Sequence, residues 1–404
     1  MKRVLLVSQY FYPENFKGND IAFDLQKRGY KVDVLTNIPN YPEGVYAKGY
    51  GLFHRRVETI NGVKVYRAFQ VPRGRKGSVL MLALNYISSM LASLFWVLLF
   101  FVFKKKYDVI LIQQLSPITS AVPGILIGRI KGSKVVTWVL DIWPDSMITT
   151  AGEKMSRLLL PIINPIVNYV YNNSSKILIS SKGMKVLVCR NKDYSNKIIH
   201  FPNWCDDIQK MPVVEIPELP NGFVIMMAGS INEGIGPDCI IGLVDELKDC
   251  KDVHFVFVGG GISVEPMKKK ITEKGLRNVH ILGAFPFKAM PAFHCKADAM
   301  LLSLRATDLP HLAATVPGRL QTYMAAGKPV LAMINGSAAD LIKESNCGYV
   351  VDSGNYKEMA EIIRNRVIVN KEDFAQKGIN GRRYYDTHFT KEMCMDNLES
   401  IINM

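Results

Sequence analysis

The stretch 298–336, DAMLLSLRATDLPHLAATVPGRLQTYMAAGKPVLAMING, decides the fold. Residues 299–304 are a short continuous apolar run, the pattern of a parallel strand buried on both faces. Residues 305–315 form a polar loop. Pro317 stands where the first turn of a helix tolerates a missing N–H, and the spacing predicts a helix from about Gly318 to Ala326. Gly327 stops it, and residues 329–334 read as the next strand. The helix therefore begins at the carboxyl end of a strand, where open parallel sheets take up ligands. Unbonded N–H groups and the helix dipole make Pro317-Gly318-Arg319 an anion site, and Arg319 adds a full charge. An ordinary α/β repeat without a ligand shares the same pattern.

Outward from this unit, the alternation repeats in both directions. Residues 4–7 (VLLV) are a strand, too short an apolar run for a signal peptide. A loop, a helical pattern ending at Gly29 and a strand at 32–35 follow. Strands at 108–113, 134–139, 176–180 and 197–201 continue the first half as a doubly wound sheet. Strands at 223–228, 254–259, 279–282, 299–304, 329–334 and 349–352 build a second. A Pro-rich run at 211–220 is the linker, and a last helix spans about 391–402. A chain of 404 residues is expected to hold two domains. We place them at 1–205 and 206–386, with 387–404 as a terminal helix packing back on the first.

Candidate residues collect at strand ends. Gly18, in the loop 13–20 (PENFKGND), allows close approach of backbone to a ligand, although a plain turn glycine fits equally. The run 37–51, rich in Pro, Gly, Asn and Tyr, reads as a long loop over the site. Asp141 lies just past the strand 134–139, where such sheets collect catalytic groups; as a helix cap, Asp145 or Ser146 is the better candidate. In the second half, Gly229, the triplet Gly259-Gly260-Gly261 and Gly283 close three strands. Residues 79–103 are uncharged and end at Lys104-Lys105-Lys106. They are long enough to span a bilayer, but a span would put strands of one sheet on opposite sides. A core helix and a helix lying in a membrane interface remain. The second is favoured because residues 94–103 are apolar on every face.

The formal net charge of +14 points to anionic partners. No aromatic-interleaved basic stripe accompanies it, so nucleic acid is the least favoured of these. Seven cysteines without CxxC spacing read as reduced thiols of a cytosolic protein. The first βα turn of neither half carries GxGxxG, and GxxxxGK[ST] is absent, which argues against nicotinamide, flavin and P-loop chemistry. HExxH, EF-hand, GxSxG and Asp-x-Asp patterns are also missing, so no metal is expected.

Two Rossmann-like halves facing a central cleft, a linker and a terminal helix resemble the GT-B fold. VPGRLQTYMAAGKPVLA is similar to the helix over which family 4 retaining glycosyltransferases hold a nucleotide-sugar. SQYFYPENFKGND, NIPNYPEG, LDIWPDS and FPNW resemble the WbuB-like branch, L-fucosaminyltransferases of O-antigen and capsule assembly. The five motifs in one order cover nearly the whole chain. The resemblance implies transfer of an N-acetylamino sugar such as L-FucNAc from a UDP-sugar, with retention and without a metal or other cofactor. It implies a polyprenyl-diphosphate-linked saccharide as acceptor, and a peripheral place on the inner face of the plasma membrane. Gly229, Ser230, Arg305, Gly318, Arg319 and Leu320 are then the diphosphate side of the donor site. Gly260, Gly283, Ala284 and Phe285 grip the base, Thr322 meets the ribose, and Asp141 orients donor or acceptor hydroxyls.

This chain departs from the family in two places. The family's glutamates on this loop and helix correspond to Ala314 and Thr322. The basic pair that usually follows the first glycine turn is missing from Gly229-Ser230-Ile231-Asn232-Glu233-Gly234. A catalytically silent sugar-nucleotide binder and a UDP-sugar epimerase are the alternatives that these changes and the paired Rossmann halves leave open.

Overall fold

The computed structural model describes residues 1–74 and 78–404. They form two units, Met1–Phe201 with Met395–Met404, and Pro202–Cys394. The first is built on β1 (Arg3–Val7), β2 (Lys31–Asn37), β3 (Val57–Ile60), β4 (Val63–Ala68), β5 (Val109–Gln114), β6 (Lys134–Val139), β7 (Lys176–Ile179) and β8 (Ile198–His200). Their order is β3-β4-β2-β1-β5-β6-β7-β8, parallel except for the β3–β4 hairpin. That hairpin adds to the expected strands. Its turn, Asn61-Gly62, has φ of 49° and 81°, the two positive values for which Asn-Gly is favoured. Strand order reverses at β1 and β5, so the loops after these two strands part and open a crevice.

The helix Val79–Leu99 is inverted in polarity. Its buried residues are Asn85, Ser89, Ser93 and Val97. Asn85 donates to Val71 O at 2.5 Å and accepts from Gln9 Nε2 at 3.0 Å, and Ser89 donates to Asn37 Oδ1 at 2.9 Å. Leu80, Leu84, Ile87, Leu91, Phe95 and Leu98 are exposed. Within Val79–Phe103, only 22% of the 18-residue apolar stretch is buried, so it is not a core helix. The polar residues that dilute its sequence recur at helical spacing and form its inner stripe.

The second unit holds β9 (Phe223–Ala228), β10 (Val253–Val258), β11 (Val279–Gly283), β12 (Ala299–Ser303), β13 (Val330–Met333) and β14 (Gly348–Val351). The sheet is wholly parallel in the order β11-β10-β9-β12-β13-β14. Alternate residues of β9 feed opposite cores: Val224, Met226 and Ala228 one, Phe223, Ile225 and Met227 the other. Covered on both faces, such strands read as continuous apolar runs. Strand order reverses between β9 and β12.

The unit boundary falls at Phe201/Pro202, four residues before the expected one. Residues 387–394 stay with the second unit, where Phe389 joins the core around Tyr385. The helix Lys391–Asn403 changes allegiance within its first turn. Its later part is tied to the first unit by Arg28, which reaches Asp396 at 2.5 Å and Glu399 at 3.0 Å, and by the Tyr30 hydroxyl on Glu399 at 2.9 Å.

Candidate active site

In the second unit, three glycine-bearing loops lie side by side at the carboxyl ends of β9, β10 and β11. Gly229 N–H donates to Val258 O at 2.9 Å, Gly259 N–H to Gly283 O at 2.7 Å, and Ile231 N–H to Gly260 O at 2.9 Å. The approach is so close that a Cβ on Gly259 would stand 1.8 Å from Gly229 O, and Gly259 itself has φ +153°. Gly260 and Ala284 are both exposed, and a Cβ on Gly260 would stand 3.6 Å from that of Ala284. Phe285 turns inward and packs on Phe293, with centroids 4.8 Å apart.

Across the switch point stands the helix Gly318–Ala325, with Pro317 as its N-cap rather than its first residue. The Gly318 and Arg319 amides have no acceptor among the described residues, as expected of a first helical turn, and nothing lies within 4 Å of the missing Gly318 Cβ. Arg319 Nη2 donates to Ser230 O at 3.3 Å, while its Nη1 is buried without a partner. The guanidinium packs over Gly229, 3.5 Å from where a Cβ would be. One turn on, the buried Tyr323 hydroxyl accepts from Ala228 N–H at 3.3 Å and fixes the helix to the end of β9. Arg305 N–H donates to Gly234 O at 2.8 Å, which ties the loop after β12 to the loop after β9, and its side chain is exposed.

Two expected site residues need correction, and one expected helix cap keeps its position without its bond. Leu320 is fully buried in the core and its N–H is spent on Pro317 O, so it has nothing to offer a ligand. Gly18 lies inside the first turn of the helix Lys17–Lys27, not in a loop. A Cβ there would come within 2.4 Å of Gln113 Oε1, the end of a side chain that would have to shift to admit it. Asp145 makes no cap hydrogen bond. Instead, it accepts from both ends of the Arg190 guanidinium at 3.0 Å and 3.0 Å. Of the two positions that carry the family's glutamates, Ala314 is buried, and the Thr322 hydroxyl donates to Gly318 O at 3.2 Å, keeping its lone pairs available.

In the first unit, Asp141 follows β6. Its Oδ2 accepts from the Ser116 N–H at 2.7 Å, and its backbone carbonyl from Gln114 at 3.1 Å. Tyr86, on the inner side of the helix Val79–Leu99, belongs to the same neighbourhood. Burial pushes its phenol up, Arg73 opposes this, and the Asp141 carboxylate adds to it. Sequence reasoning missed Glu14, in the loop after β1. One oxygen accepts the N–H groups of Asn40 at 2.8 Å and Tyr41 at 2.7 Å; the other is buried without a partner. Burial pushes this carboxyl up to about 7, against the pull of those amides. The only signal was an acidic residue in a strand-end loop of aromatic residues and proline. No cluster of three or more His, Cys, Asp or Glu side chains suited to a metal occurs among the described residues.

These features meet known proteins at three levels. The family model described as glycosyl transferases group 1 matches residues 214–383. The colanic acid biosynthesis glycosyl transferase WcaI of Escherichia coli K12 is 23% identical over 318 residues, 75% of each chain. A GDP-mannose-dependent α-(1-6)-phosphatidylinositol monomannoside mannosyltransferase of Mycolicibacterium smegmatis is 21% identical over 248 residues, 58% of this chain and 64% of that protein. Among solved structures, Anabaena HepE in complex with UDP superposes with a TM-score of 0.65 at 17% identity, covering 100% of both chains. The chain is a glycosyltransferase of GT-B fold, and its residues 214–383 match the model of group 1 glycosyl transferases.

Proposed function

We propose that the protein transfers an N-acetylamino sugar such as L-FucNAc from a UDP-sugar to a polyprenyl-diphosphate-linked saccharide, with retention and without a metal. The observation that carries this reading is Arg319. A buried, unpartnered guanidinium nitrogen stands at a helix N-terminus beside an open glycine turn. Negative charge grows on the leaving diphosphate as the C1–O bond breaks, and preorganised donors stabilise it most in a site from which water is excluded. Arg319 and the amides of Gly318 and Arg319 fit that need. In front-face displacement the acceptor oxygen bonds to C1 on the side from which the diphosphate departs. The acceptor proton passes to the departing phosphate oxygen, so no protein nucleophile is required. We assign Asp141 the orientation of a donor or acceptor hydroxyl. The Ser116 amide fixes one carboxylate oxygen and leaves the other for that contact.

UDP is favoured over GDP by the likeness to a UDP-bound structure, and the GDP-mannose-dependent relative makes the choice a real one. A lipid-linked acceptor and a place on the inner face of the plasma membrane accord with the outward apolar face of the helix Val79–Leu99 and the lysines that follow it. The test is release of nucleoside diphosphate in EDTA from UDP- and GDP-amino sugars, with and without a polyprenyl-diphosphate saccharide. Acceptor-dependent UDP release with a retained anomer is expected. Turnover of GDP-sugars alone, or an inverted anomer, would refute the assignment.

A further inference from the structure

The loop 143–145 and the helices Glu153–Asn173 and Met184–Val188 enclose a cavity of about 230 Å³ that the reading above does not use. We propose that it binds one pyranose ring of the acceptor saccharide, through the carboxamides of Asn164 and Asn168 and the hydroxyl of Tyr171. The word acceptor rests on the proposed function; the site and its ligand class rest on the cavity itself. Its volume is below the ~300–1,000 Å³ of drug-sized sites and suits a single ring.

The lining is of carbohydrate-binding character. Asn164 and Asn168 stand four residues apart, on one face of the helix. Neither carboxamide has a hydrogen-bond partner among the described residues, and each offers two donors and an acceptor. Tyr171, one turn further, is 2% exposed, and its hydroxyl has no partner. A buried hydroxyl in that state costs free energy unless something answers it. The one ionic pair, Asp145 with Arg190, is closed on itself by two bonds of 3.0 Å. It leaves the cavity without net charge, which disfavours phosphates and suits a neutral polyol. Trp143 supplies an aromatic wall. Its indole N–H donates to Ser116 Oγ at 3.0 Å, and the Ser116 N–H binds Asp141. The cavity therefore adjoins the assigned hydroxyl-orienting carboxylate, within the same unit.

Saturation-transfer NMR tests this with the methyl glycosides of glucose, N-acetylglucosamine and N-acetylfucosamine on the full chain. Asn168→Leu replaces a carboxamide by an apolar side chain of similar size, and Tyr171→Phe removes only the hydroxyl. Wild type is expected to bind at least one glycoside, and each variant to bind it about tenfold more weakly. Tyr171→Phe is expected to melt no lower than wild type, because the lost hydroxyl had no partner. Donor hydrolysis, in which water replaces the acceptor, is expected to be unchanged. Absence of saturation transfer in wild type, or equal transfer in wild type and Asn168→Leu, would overturn the subsite. Failure of wild type to bind any nucleoside diphosphate would instead overturn the proposed function, and the glycoside signal would be unaffected by it.

Discussion

Gly259 shows how tightly the glycine loops after β9, β10 and β11 are built. Its φ of +153°, and the 1.8 Å that would separate an added Cβ from Gly229 O, exclude every other residue. Gly259→Ala is expected to destabilise the second unit by about 3 kcal/mol or more, read as a lower urea midpoint. An unchanged midpoint would mean that the two loops are not in contact. His294 offers a second reading at this scale. It is buried without a hydrogen-bond partner for either ring nitrogen, and its ring stands edge-on to Tyr323, 5.8 Å between centroids. Burial first, then Lys328, holds its pKa down to about 4 against 6.5 for the free side chain. Between those values the unfolded chain binds the extra proton. The stability tied to neutral His294 is therefore complete above pH 6.5 and is lost as pH falls toward 4, about 3 kcal/mol in all. His294→Phe is expected to flatten that part of the melting-temperature profile; an identical acid slope in the variant would contradict this.

At the scale of elements, two ties matter most. Asp207 accepts from both ends of Arg382 at 2.7 Å and 2.8 Å, and Arg382 also donates to Ala325 O at 2.7 Å. This joins the segment after Pro202 to the helix Lys371–His388 and to the end of the helix that carries Arg319. Asp207→Asn is expected to cost about 1–3 kcal/mol, because half of a bidentate, partly buried pair is lost. Calorimetry would detect it, and no change would assign the pair to the solvated surface. The helix Val79–Leu99 carries the other prediction. Leu91 and Phe95 are 57% and 59% exposed, so Leu91→Asp with Phe95→Asp should leave folding within about 0.5 kcal/mol of wild type. Flotation with anionic vesicles is expected to fall sharply in the double variant. Equal flotation would remove the membrane from the account.

Across the whole molecule, what was legible depended on which residues speak locally. Both sheets could be read because strands buried on two faces are continuous apolar runs, and because Gly327 and Pro329 punctuate the unit that holds Arg319. Leu320 could not be assigned by position alone. Its neighbour Arg319 points to the crevice, and one residue along a helix turns a side chain by about 100° into the core. Gly18 was ambiguous for a different reason: its neighbour Gln113 is remote in sequence, on β5. The role of Glu14 depends likewise on amides contributed by the loop after β2. The inward polar stripe of the helix Val79–Leu99 was present in the sequence, but which face it turned to the protein was not. The cavity beside Trp143 is made by three segments, and no short pattern announces it.

We assign the diphosphate of a UDP-sugar to Arg319 and its helix N-terminus. Calorimetric titration of UDP into wild type and Arg319→Ala, in EDTA, tests this assignment most directly. Wild type is expected to bind UDP, and the variant to bind it about 10- to 100-fold more weakly with its melting temperature preserved. Equal affinity for UDP in the two proteins would contradict it.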